Sequence, residues 1–271
     1  MKKILVLLTV FCLALSLAAC AGGSGSSSSS EAASASQPAE SQPQESSSAA
    51  ADGEEVAVMS YEEYMAAELD SQVTIEACVQ AKQSWWEDKA TVYAQDENGA
   101  YFLYNMACSE EDYAKLTEGT RIRVTGYKAE WSGEVEIMDG TFTFVEGDSY
   151  IPEPIDATSL LGTEELIDHQ NQFAQFKGLT VEAAGQDEAG NDVAFLYNWD
   201  GSGSQGDDLY FNVSYNGETY TFTVESYLCD STTEVYAAVE ALQVGQVIDA
   251  EGFLYWYEGL NPHITSVTVV G

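Results

Sequence analysis

The chain has 271 residues, of which 9 are basic and 45 acidic, for a formal net charge of −36. A chain of this length accommodates one large or two small domains, and 45% apolar residues exclude a wholly disordered protein. The acidity argues against a general nucleic-acid binder, which gains affinity by releasing counterions to lysine and arginine. Two histidines, His169 and His263, leave little for a histidine-rich metal site or an ordinary catalytic triad.

Met1-Lys2-Lys3 is a short positive head, and Ile4 to Ala19 is an uncharged apolar run. The run is too short and too early for a membrane span and suits a secretory signal over residues 1–19. It ends in Leu17-Ala18-Ala19-Cys20, which resembles the lipobox of bacterial lipoproteins. That resemblance implies a lipid on Cys20, palmitate among its chains. It also implies a protein anchored to the cell membrane on its extracytoplasmic face, of the Gram-positive type. Residues 20–56 follow as Ser, Ala, Gly, Gln, Pro and Glu, with 12 serines among residues 21–50. Such a segment has too little to bury to offset its ordering entropy and reads as a disordered tether, with a reach of roughly 30–35 Å. Cys78, Cys108 and Cys229 remain in the rest of the chain, open to one bridge plus a free thiol or to three free thiols.

The remainder contains a repeat. Leu116, Gly119, Gly126, Tyr127, Trp131, Gly133 and Met138 recur in one register as Leu242, Gly245, Gly252, Phe253, Tyr257, Gly259 and Ile264. In the first copy, Ser60-Tyr61-Glu62-Glu63 is a capping box opening a helix to about Leu69. Alternation over Val73–Val79 reads as a strand, and two more flank Asn98-Gly99, at Ala90–Gln95 and Ala100–Met106. A helix over Ser109–Leu116 precedes strands at Thr120–Tyr127 and Glu134–Val145. The second copy reads as a helix over Glu164–Gln175 and a strand over Gly178–Ala183. Strands at Val193–Trp199, Leu209–Tyr215 and Glu218–Glu225 come next, then a helix over Thr232–Leu242 and strands at Gln246–Phe253 and His263–Val270. Two prolines in Tyr150-Ile151-Pro152-Glu153-Pro154 mark the boundary, dividing residues 57–149 from 150–271.

Three strands, a helix and two strands is the order of the OB-fold, a five-stranded Greek-key barrel. The expected fold is therefore mainly β: two OB-fold-like five-stranded barrels, each with short helices. Val73-Thr74-Ile75-Glu76, the run from Gly119 to Tyr127 and the turn to Gly133 make the first copy resemble OB-fold modules of exported bacterial proteins, nucleases and lipoproteins among them. These motifs specify a barrel, and no nuclease catalytic segment accompanies them.

OB-fold ligands lie on strands 2 and 3 between the loops joining strands 1–2 and 4–5. In the first copy those loops hold Lys82, Trp85, Trp86, Lys89, Lys128 and Trp131, with Tyr127 beside them. Aromatic platforms stack on sugars or bases, and lysines meet carboxylates or phosphates. The alternative is that the rings fold over the barrel mouth as core. In the second copy, Asp200, Ser202, Ser204, Asp207 and Asp208 space oxygen ligands along a loop as calcium requires. The loop departs from an EF-hand at its sixth position, Gln205, and its twelfth, Phe211. No nucleophile elbow, His-Glu-x-x-His, paired CxxC or phosphate-binding glycine loop is present. The chain thus reads as a non-catalytic, lipid-anchored binding module for a glycan or a protein. The alternatives are a nucleic-acid accessory acting through the first barrel, or an envelope spacer.

Overall fold

The computed structural model describes residues 57–270, so the segment expected to be a signal (1–19), Cys20 and the serine-rich segment expected to be a tether lie outside the described residues. Helix α1 (Tyr61–Ala66) opens at Ser60, whose Oγ accepts from the Glu63 N–H while the Glu63 carboxylate accepts from the Ser60 N–H. This is the capping box read from the sequence. The helix stops before Leu69.

The first barrel consists of β1 (Gln72–Lys82), β2 (Lys89–Gln95), β3 (Ala100–Ala107), α2 (Glu110–Lys115), β4 (Arg121–Trp131) and β5 (Glu134–Phe144). The strands close in the order β1-β2-β3-β5-β4, with β4 returning to β1 and β3 running parallel to β5. That is the OB-fold closure. Its interior holds Val73, Ile75, Val92, Leu103, Leu116, Ile122 and Ile137.

The second half begins with β6 (Ile155–Asp156) and short 3-10 turns at Thr158–Leu160 and Glu164–His169. Then come β7 (Phe173–Glu182), β8 (Gly185–Gln186), β9 (Asp192–Val193), β10 (Phe195–Tyr197), β11 (Leu209–Tyr215), β12 (Glu218–Val224), α3 (Glu234–Glu240), β13 (Val247–Phe253) and β14 (His263–Val269). The order β11-β12-β14-β13-β7 closes through β11–β7 pairing, again with one parallel contact, β12 to β14. The chain is therefore mainly β, with two closed five-stranded barrels and a few short helices.

The repeat has a shared hydrogen-bond device. The Gly119 N–H donates to the Val79 carbonyl and the Val79 N–H to the Thr120 carbonyl; Gly245, Val181 and Gln246 do the same in the second barrel. Both glycines sit at positive φ, +78° and +88°, where a side chain would be strained.

Two expectations are corrected. The helix expected over Glu164–Gln175 is only the 3-10 turn Glu164–His169, because Asn171 takes a positive φ of 66°. Phe173 to Phe176 then alternate in burial as a strand does, so β7 starts five residues before Gly178. The strand expected over Val193–Trp199 is broken into β9 and β10, the larger insert of the second copy. Cys78, Cys108 and Cys229 are buried free thiols.

Candidate ligand cleft at the seam of the two barrels

Alternation along β2 and β3 turns Val92, Ala94, Tyr101 and Leu103 into the first barrel and leaves Thr91, Tyr93, Gln95, Phe102 and Tyr104 on its outer face. Tyr101 joins Tyr61 and Tyr64 in the core. Tyr93, Gln95 and Phe102 of this outer face are covered by the second barrel. Tyr93 stacks on Phe253 at 4.2 Å and 9°, and its hydroxyl lies 2.9 Å from His263 Nδ1. Phe102 meets the ring of Tyr255 edge-on, and Tyr255 stacks on His263. The Gln95 side chain accepts from the Phe173 N–H. Burial holds His263 neutral, its pKa lowered to about 3.

Polar contacts extend this seam. Glu134, with no exposed surface, accepts from Asn171 Nδ2 at 2.6 Å and from the Trp256 N–H at 3.0 Å. Gln170 bonds the Gly133 carbonyl and the Val135 N–H, and the Glu258 N–H donates to the Ser132 carbonyl. At the other end, the Ser84 N–H donates to the Tyr227 carbonyl and Gln83 to the Glu225 carboxylate. Burial, with Asp208 nearby, pushes Glu225 up to about 7.

The uncovered part of the face opens as a cleft of about 1010 Å³. Thr91, Tyr104 and Asn105 enter it from the first barrel; Tyr210, Tyr257 and Asn261 enter from the second. Each barrel also contributes a tryptophan from its loop between strands 1 and 2, Trp86 and Trp199 respectively. Trp86 is held by a tight two-residue turn. Glu87 and Asp88 both take positive φ, and Trp86 and Lys89 exchange backbone hydrogen bonds, the I′ pattern that follows strand twist. Trp86 is 65% exposed and Trp199 76%, so neither completes a core. Tyr104, Tyr227 and Tyr257 add three more exposed rings to the same cleft.

Of the residues expected to bind, the structure brings Trp86 and Lys89 to this cleft. Lys82 and Lys128 are spent internally, which corrects the expectation that they meet a ligand. Lys82 Nζ donates to the Tyr113 carbonyl and lies 3.8 Å over its ring. Lys128, 5% exposed, donates to the carbonyls of Met65 and Ala67 at the end of α1. Trp85 is half-buried with its indole N–H on the Cys108 carbonyl. Tyr127 and Trp131 are exposed but line no part of the cleft.

The loop expected to space oxygen ligands for calcium spends its carboxylates on protein hydrogen bonds. Asp200 accepts from the Ser202 N–H, Asp207 from Ser204, and Asp208 from Ser226. Asp200 and Asp207 turn to their own loop and Asp208 to the backbone and hydroxyl of Ser226 after β12, and among the described residues no three acidic, histidine or cysteine groups converge on one point. Tyr227, Tyr210, Tyr104 and Glu225 were not singled out in the sequence, because no spacing marks residues that meet only across two barrels.

No known family profile matches this chain, and no curated protein does. Among solved structures it is similar to a murine DNA-binding protein bound with double-stranded DNA, at 11% identity and TM-score 0.34, over 73% of this chain and 96% of that one. It is also similar to the Ifi202 HINa domain in complex with 20-base-pair double-stranded DNA, at 10% identity and TM-score 0.33, over 74% and 98%. A third is a replication protein A heterotrimer bound to single-stranded DNA, at 12% identity and TM-score 0.29, over 74% and 49%. The OB-fold assignment stands on this chain's own strand pairing, and no ligand is carried over from these proteins.

Proposed function

We propose that this chain is a non-catalytic binding module, lipid-anchored through Cys20 on the extracytoplasmic face, whose cleft between the barrels holds a glycan. The observation that carries the reading is the convergence of Trp86, Tyr104, Trp199, Tyr227 and Tyr257, all exposed, on one cleft built by both barrels. Exposed rings in a concave site flanked by Asn105, Asn261 and Gln83 offer the apolar faces and hydrogen-bonding groups that a sugar ring presents in return.

The same rings would stack on bases, and the similar solved structures include proteins bound to DNA. A phosphate backbone, however, needs cations. Among the described residues Lys89 is the one lysine lining the cleft, against Glu87, Glu225 and Glu258, in a chain of net charge −36. Charge favours the glycan.

The test is tryptophan fluorescence of the chain lacking residues 1–20, titrated with cell-wall oligosaccharides and with short single-stranded DNA at two salt concentrations. A saturable, salt-insensitive response to glycan is expected. Trp86→Ala and Trp199→Ala should each weaken it about ten-fold or more, ~1.4 kcal/mol, with the melting temperature unchanged. A steeply salt-sensitive DNA response with none to glycan would overturn the proposal. The anchor has its own readout. Labelled palmitate should be incorporated into the full chain and lost in Cys20→Ala, and a label that persists in the variant would exclude lipidation at this residue.

A further inference from the structure

The cleft is unbalanced in charge and in ring partners. Elsewhere in the molecule, cations lie over rings of the first barrel: Lys82 over half-buried Tyr113, Lys115 over exposed Phe144 and Lys128 over buried Tyr64. Among the described residues, no cation of the chain lies over Trp86, Tyr104, Trp199, Tyr227 or Tyr257. These five rings line the same cleft as Glu87, Glu225 and Glu258, with Lys89 the opposing charge among its lining residues. Rings and carboxylates together are what an ammonium group recognises. The ring quadrupole attracts the charge from the face, and a desolvated carboxylate supplies a charge-assisted hydrogen bond.

Resting on the glycan reading, we infer that the ligand is an amino sugar bearing a free, protonated amine, seated on the exposed rings between Glu87, Glu225 and Glu258. Three features support this. The cleft joins polar groups suited to hydroxyls, Asn105, Asn261 and Thr91, to an anionic aromatic wall, which a neutral sugar would leave unused. Glu225 is held at the seam by the Gln83 amide and the N–H groups of Tyr227 and Leu228, so its carboxylate is positioned before any ligand arrives. Its carboxyl titrates high because burial and Asp208 disfavour its charge, and a cation placed beside it would offset the repulsion from Asp208 and favour the ionised form.

The experiment compares three oligosaccharides of equal length with the chain lacking residues 1–20: glucosamine, N-acetylglucosamine and glucose oligomers. The glucosamine oligomer is expected to bind at least ten-fold more tightly than either neutral one, with a preference that shrinks at high salt. The preference should disappear in the triple variant Glu87→Gln, Glu225→Gln, Glu258→Gln, and binding itself should weaken in Trp86→Ala. Because the whole surface is acidic, a cation held loosely elsewhere would keep its affinity in Trp86→Ala, and that result overturns the inference. Equal binding of all three oligomers overturns it as well and leaves the glycan reading standing. Failure of all three overturns both, since no sugar then occupies the cleft.

Discussion

Tyr93→Ala is expected to lower the melting temperature of residues 57–270 by about 10 °C or more, the largest effect of any single change outside the two barrel interiors. Truncating a buried aromatic side chain to alanine costs roughly 3–5 kcal/mol. In a unit of this size each kcal/mol moves the midpoint by about 2–4 °C. Tyr93 is 1% exposed, and yet its ring faces away from its own barrel onto Phe253 of the other. The cost therefore falls on the contact that joins the barrels. Tyr93→Phe should keep the stack and lose about 1 kcal/mol, the worth of a hydrogen bond, leaving His263 Nδ1 without its hydroxyl. Tyr127→Ala, at a 46% exposed ring outside the seam, is the control and should shift little. Calorimetry decides the matter. A single transition in the parent that broadens or divides in Tyr93→Ala fits a shared seam. Two independent transitions in the parent, unmoved by the substitution, would mean that the barrels fold separately.

The second large effect is on pH. The two-barrel unit should be most stable near pH 5 and lose a few kcal/mol by about pH 8. Three carboxyls shielded from water have raised pKa values: Glu134 at about 8, Glu136 on β5 at about 7 and Glu225 at about 7, burial being the main cause in each. A carboxyl whose folded pKa exceeds its unfolded value holds a proton in the native state that the unfolded chain has released. Stability therefore falls as pH rises from about 4.5 through the folded pKa, at ~1.4 kcal/mol per pH unit for each such proton. His263 works in the opposite direction. Its pKa is lowered to about 3, so the unfolded state binds the extra proton and stability falls as pH drops from about 6.5. Three carboxyls against one imidazole place the maximum toward the acid end of the overlap.

Glu134 is enclosed by protein, with two N–H donors on its oxygens. Its Oε1 is 2.6 Å from the Asn171 amide, whose Oδ1 has no partner among the described residues. The Asn171 Nδ2 also lies 3.4 Å from the Val135 carbonyl, so one amide nitrogen faces both oxygens. Denaturant titrations at about pH 5, 6.5 and 8 check the sign, and Glu134→Gln should flatten the alkaline limb. Stability that rises with pH across this range would exclude the buried neutral acid.

Much of this protein is legible along the chain. Alternation marked the strands of the first barrel, Ser60 and Ser109 marked their helices, and Gly119 and Gly245 marked the same turn in both copies, because these signals depend on neighbours a few residues away. Trp86 and Lys89 were reachable for the same reason, as members of a loop whose place the barrel order determines. What failed was local as well: the run Glu164–Gln175 carries helical residues, and Asn171 at positive φ ended the helix where propensity did not.

The composition of the cleft was decided by tertiary structure alone. Tyr93 and Phe102 stand on the outer face of β2 and β3, and the second barrel covers them. Lys82 and Lys128 look like free cations, and backbone carbonyls take both. Glu134, Glu225 and Tyr227 carry no sequence signal, since their roles arise from partners such as Trp256, Gln83 and Ser84, far away in the chain. The sequence by itself determined two barrels, because strand period, turn glycines and helix caps are short-range physics. Which faces of those barrels remained for a ligand depended on what each buried against the other, a long-range balance of desolvation and packing that no spacing records.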